Sequence, residues 1–265
     1  LRIDLEKILN EHWRWLDSDK TVGQPASLAG ADLKGASLRE VVLNGADLHG
    51  ADLENADLRE TELAACNLEG ANLKSANLEG ADLRRANLKR ADLQGTELDA
   101  ADLGGANLEG VFARRAHFGG SDLREANLRE AHLSDTDLWA VDLREADLRE
   151  AHLHSAILRG AKLQNADLGD AHLHEADLRN ANAQGADLQG AHLRGTDLRN
   201  AQLQRAVLRD SDLRGADLRQ ADFQDADLRG ANLQGAKCEG ADFRRTNIKG
   251  AVLDPSHPLA VLHEI

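Results

Sequence analysis

Five residues recur in register from Ala26 to Pro255, forty-six times in succession, without an insertion or a deletion. The unit reads Ala-(Asp/Asn)-Leu-x-x, as in Ala81-Asp82-Leu83-Arg84-Arg85. No regular element of ordinary period can use it. Along an α-helix five residues turn through about 500°, so successive leucines would wander round the cylinder instead of forming a stripe. Along a flat strand an odd repeat would send each leucine to the opposite face. The chain therefore has to turn once per unit. Ala and Leu, two apart, point to the same side of a short extended stretch. The next two residues make the corner, where Gly, which accepts positive φ, stands last in nineteen units. Repeated corners coil the backbone with Ala and Leu inside, and each coil hydrogen-bonds to the coils above and below.

Surface residues set how many corners close one coil. His132, His152, His172 and His192 recur every twenty residues, as do Arg159, Arg179, Arg199 and Arg219. Twenty residues are four units, which gives a square coil; a triangular coil of fifteen would instead stack His132 beside Asp147. The tandem Ala-(Asp/Asn)-Leu-x-x units resemble those of the pentapeptide-repeat family, over residues 26–255. That resemblance implies a right-handed quadrilateral β-helix, and the hand comes from the resemblance, since the period does not set it. Forty-six units then form an all-β solenoid of about 11.5 coils, roughly 55 Å long at the spacing of sheet strands.

Three segments follow. Residues 1–25 place Leu5, Ile8, Leu9, His12 and Leu16 at helical spacing, flanked by Trp13 and Trp15 and closed by Gly23 and Pro25. A solenoid's first coil exposes an unpaired edge and an apolar core, so the segment is read as a short α-helical cap and lead-in. Residues 26–255 are the β-helix. Residues 256–265 form a short, apolar C-terminal tail, which either caps the other end or joins two rods as a homodimer through a terminus. Cys66 and Cys238 both occupy inward positions, far beyond disulfide reach of one another. Two buried thiols, with no secretory signal or membrane span, fit a cytoplasmic protein.

The repeat also limits function. An unslipping frame has no loop in which to build an active site, and the sequence holds neither a Gly-rich phosphate loop nor a Cys/His nucleophile pair. The many Asp residues are frame residues at one repeat position, so a non-enzymatic protein is expected. A net charge of −14 and the lack of a basic stripe argue against direct nucleic-acid binding. Acidity suits a DNA mimic that binds DNA gyrase or another topoisomerase, as some members of the resembled family are thought to do. However, Arg often follows Asp across the same Leu, as in Asp177-Leu178-Arg179, giving local pairs rather than the one-sign field of a duplex.

Two surface features remain. His152, His154, His172 and His174 fall at the corners of a quadrilateral roughly 5 Å by 7 Å, which suggests a weak, open site for Zn²⁺, Ni²⁺ or Cu²⁺; no other cofactor is implied. A bland alternative is that His simply replaces Asp and Asn at a surface position and thins like-charge repulsion between coils. Outward apolar residues are few, and Phe112 heads the His132 column while Trp139, Ile157 and Arg159 lie on the adjoining face. Phe112, His132, Trp139, Ile157 and Arg159 therefore form a candidate contact patch for a protein partner. Against this, Phe112 has a local reason to fold inward, over the space left by Ala113, and Trp139 to stack on Arg159. The expected function is a binding scaffold that presents an acidic rod of square section to a macromolecular partner.

Overall fold

Every backbone donor in a unit has its own destination, and those destinations define the coil. In the computed structural model, which describes residues 4–254, Leu83 N–H donates to the Asp102 carbonyl at 2.7 Å and Arg85 N–H to that of Gly104 at 3.0 Å. Asp82 N–H donates in the other direction, to Thr61 at 3.0 Å. Ala86 N–H turns back onto Leu83 O at 3.0 Å and closes the corner. The remaining donor, Arg84 N–H, bonds the Asp82 side chain, Oδ1 at 3.1 Å. No N–H of the unit is left unpaired.

This accounting explains the second repeat position. An Asp or Asn carboxyl or amide oxygen reaches the N–H two residues on, an Asx turn, and the same bond recurs from Asp32 to Lys34, Asn67 to Glu69 and Asn232 to Gln234. Where the second position is His117, the Gly119 N–H is met instead by Asp99 Oδ1 of the preceding coil, at 2.7 Å. Parallel bridges join residues twenty apart, from Ser27 with Asp47 through Asn232 with Val252. The register is therefore four units per coil throughout.

At the corners the structure departs from the expectation that Gly would carry the positive φ. Every fifth residue from Gly30 to Gly250 is left-handed, including Ala100 at 56° and Ala140 at 52°. The ladder bonds on either side of each corner hold side-chain-bearing residues in a conformation that costs them about 1 kcal/mol or more.

Inside, Ala and Leu of successive units form one continuous core, almost wholly buried from Ala26 to Leu233. Polar residues in the first position are satisfied there: Thr61, Thr96, Thr136 and Thr196 each donate Oγ1 to a carbonyl of the preceding coil, at 2.8–3.0 Å. Cys66 Sγ does the same toward Leu43 O at 2.8 Å. Both cysteines are buried, and burial pushes each thiol up to about 12. They are inert thiols.

The N-terminal cap is helix α1, Leu5–Asp17. Asp4 caps it by accepting from Lys7 N–H at 3.1 Å, and Leu5, Ile8 and Leu9 pack against the core. His12 makes the decisive contact. It is fully buried, and its Nδ1 accepts the Ala26 N–H at 3.0 Å, tying the helix to the first unit. Burial holds the His12 pKa below the ordinary imidazole value, in keeping with a ring that must stay neutral to accept. Gly23, at φ 85°, lies so close that a Cβ there would stand 2.4 Å from Glu11 O. The expected tail, residues 256–265, lies outside the described residues.

Candidate interaction surface

In eleven units along the rod, Asp in the second position and Arg in the fourth lock together across the intervening Leu. Arg59 donates Nε to Asp57 Oδ1 at 2.8 Å and a second N–H to Oδ2 at 2.6 Å, and the Arg144–Asp142 and Arg219–Asp217 pairs match it. Hydrogen bonding from Arg59 holds the Asp57 carboxyl down at about 2; the paired Asp227 is likewise well below the carboxylate range. Each clipped acid thus carries its own cation, so these pairs add none of the dense one-sign charge that a DNA mimic needs.

Five successive units on one face carry a ring in place of the Asp or Asn. Their second positions are Phe112, His132, His152, His172 and His192, one per coil, and the five rings stack into a column. Successive centroids lie 4.9, 5.0, 4.9 and 4.7 Å apart, with interplanar angles of 4°, 3°, 9° and 11°. Sheet spacing imposes this separation, since each side chain stands on the strand bridged to the next. Phe112 is 42% exposed and lies on His132, so it does not fold inward over Ala113. Desolvation, then the neighbouring imidazoles, hold His132 and His172 below the ordinary value, and His174 is shifted the same way.

The expected metal site is not formed. A metal must lie in the plane of each ligating ring, about 2.0–2.1 Å from its nitrogen. Rings stacked face to face at 4.9 Å send their nitrogens outward along parallel lines that do not converge. His172 and His174, 6.2 Å apart at 20°, are also stacked. Among the described residues no group of three or more His, Cys, Asp or Glu side chains is disposed to hold a metal ion, so His152, His154, His172 and His174 form a ring column with a flank and not a cage.

Grooves run along both sides of the column. One, of about 600 Å³, is walled by Phe112, His132, His152 and His172 on one side and by Glu130, Glu150 and Asp170 on the other. The second, of about 340 Å³, lies beside Arg114, Ser134 and His154. Glu130 and Glu150 stand twenty residues apart in the sequence, a spacing that does not show that they line the histidines. The fifth position of one unit meets the second of the next only once the corner is drawn.

The rest of the expected patch is separate. Trp139 and Ile157 are 56% and 42% exposed, but with Arg159 they stand on the adjoining face and line neither groove. Trp139 makes no cation–π contact with Arg159 among the described residues. Its ring instead lies beside Gly119, where a Cβ would stand 4.0 Å from Trp139 Cε3.

The comparisons agree with this architecture. A model of pentapeptide repeats matches eight stretches between residues 26 and 250. HetL, a pentapeptide repeat protein involved in heterocyst differentiation regulation in the cyanobacterium Nostoc, is 34% identical and superposes with a TM-score of 0.65, covering 92% of this chain and 96% of its own. A pentapeptide repeat protein from the Arabidopsis thaliana thylakoid lumen is 35% identical but covers 35% of this chain and 65% of its own, at a TM-score of 0.34. QnrB1, a plasmid-mediated fluoroquinolone resistance protein, is 20% identical over 86% of this chain and 95% of its own; its TM-score of 0.34 carries no argument about binding. Among curated proteins no sequence matches the chain.

Proposed function

Because this chain belongs to the pentapeptide-repeat family, whose unit supplies a scaffold and no catalytic loop, we propose that it works by binding a protein partner, without chemistry of its own. The contact surface is the Phe112–His192 column and its grooves, with Trp139 and Ile157 as outlying anchors. One observation carries this reading: over five successive coils stacked, partly exposed rings hold the second repeat position, where most units carry Asp or Asn. Such a strip has low conformational entropy to lose on binding and offers both apolar and polar edges. The right-handed coil and a homodimer through a terminus belong to the same reading. No helix among the described residues is long and apolar enough to cross a membrane.

Affinity capture from the protein's own host tests it, with the wild type beside a Phe112→Ala/Trp139→Ala variant of unchanged circular dichroism. A protein held by the wild type and lost by the variant is the expected result. The same set of proteins held by both would remove this face from the function.

A further inference from the structure

The larger groove has an acidic wall that the rod compensates only in part, through Arg129 beside Glu150 and Arg90 at one end of the lining. Among the described residues neither Glu130 nor Asp170 takes part in an ion pair, and Glu150 meets Arg129 only at 3.4 Å. The opposite wall is the column of rings. Their faces are covered by one another, so what lines the groove is ring edge, and neutral imidazole has one nitrogen that accepts a hydrogen bond. Carboxylates and imidazole acceptors therefore face a common channel, repeated once per coil. At one end Phe112, Gly110 and Arg90 close the channel, so the stretch open to a cationic segment lies along Glu130, Glu150 and Asp170, beyond that arginine.

We infer that this channel takes an extended peptide segment of a partner protein, lying along the rod axis and carrying arginine at every third residue. The inference rests on the reading of this face as a contact surface and names the chemistry of what it contacts. Charge complementarity selects the cation: a guanidinium donates at once to a carboxylate on one wall and to a ring nitrogen on the other. Spacing selects the interval. Three residues of extended chain advance about 10 Å. Two coils advance the same distance, since neighbouring rings stand 4.7–5.0 Å apart. A segment with arginine at alternate residues would drift out of step within two contacts. Nucleic acid is disfavoured in the same channel, because phosphates would lie against Glu130, Glu150 and Asp170.

Fluorescence anisotropy at pH 7.5 tests this with the full chain and labelled twelve-residue peptides. One carries arginine at every third position, one the same number of arginines in a block, one glutamate in their place; a single-stranded oligonucleotide is the fourth probe. The spaced peptide is expected to bind at least ten-fold tighter than the blocked one, and neither the glutamate peptide nor the oligonucleotide should bind. Glu150→Lys/Asp170→Lys should weaken the spaced peptide at least ten-fold. Glu125→Lys/Glu145→Lys, the same charge change on another face, should leave it unchanged apart from a small general loss. No binding of the spaced peptide at millimolar concentration, equal loss in both variants, equal affinity for the blocked peptide, or preference for the glutamate peptide or oligonucleotide would each overturn the inference. A partner captured through Phe112 in the host while the spaced peptide fails would leave the contact surface standing and remove only the arginine segment.

Discussion

Two alanines stand where the repeat calls for leucine, and the same substitution at each should have opposite effects. Ala183 is buried beside a dry void of about 10 Å³ walled by leucines, among them Leu163, Leu178, Leu188 and Leu203. Its neighbours in the coil, Ala181, Ala186 and Leu188, are of ordinary size, so three carbons are missing outright. Ala113 is buried as well, but Val111 in its own unit carries two extra carbons and the buried Phe118 in the next unit three. Ala183→Leu adds three carbon atoms. At ~0.8 kcal/mol per buried methylene the ceiling is about 2.4 kcal/mol. The void is barely large enough for one water, so its walls have already closed in part and about 1 kcal/mol of stabilisation is expected. That should raise the melting temperature by about 2–4 °C in a chain of this size. Ala113→Leu meets filled space and should cost about 1–3 kcal/mol through overpacking. Scanning calorimetry on both variants reads the difference. A fall for Ala183→Leu, or shifts of one sign for both, would refute the packing account.

Three further outcomes follow from named contacts. Ala140→Gly should stabilise the rod by up to about 1 kcal/mol, since only glycine is unstrained at φ 52°, whereas Gly120→Ala, at φ 64° with open space around it, should cost a similar amount by backbone strain alone; thermal melts of the pair check this. The folded pKa of His12 is lowered, so its contribution is complete above the unfolded value near 6.5 and is lost as pH falls below that, at no more than about 1.4 kcal/mol per pH unit. The clipped Asp residues stay ionised in this window, so His12→Gln, which keeps an acceptor for Ala26 N–H without titrating, should reduce the wild-type difference in melting temperature between pH 7.5 and 5.5 and leave the part due to His132, His172 and His174. Titration calorimetry with Zn²⁺ at pH 7.5 should show only weak uptake, equal in wild type and His152→Ala/His174→Ala; micromolar affinity lost in the variant would restore the metal site.

The coil was legible because its signal is redundant. Period, inward Ala and Leu, and surface recurrence at twenty residues all point to one register, and the bridges keep it from Ser27 to Val252. The helical spacing of Leu5, Ile8, Leu9 and His12 similarly marked α1, though not that His12 would bond Ala26. What stayed hidden depends on side-chain direction. The sequence places His152, His154, His172 and His174 close together but says nothing of whether their rings converge or stack, and strand spacing decides for stacking. The preference for Asp and Asn over Glu in the second position was a readable signal: only the shorter side chain reaches the N–H two residues on. Gly at nineteen corners suggested a rule for glycine, when the ladder imposes positive φ on whatever residue stands there.

The central claim is that the ring column is the face through which this rod meets its partner. A photo-crosslinking residue placed in the host at His154, exposed beside the column, tests it against one at Gln184, exposed on the opposite face. The account predicts a discrete crosslinked product from position 154 that disappears when Phe112→Ala/His132→Ala is added, and none from position 184. A product of equal yield from position 184, or one from position 154 indifferent to the loss of Phe112 and His132, would contradict it.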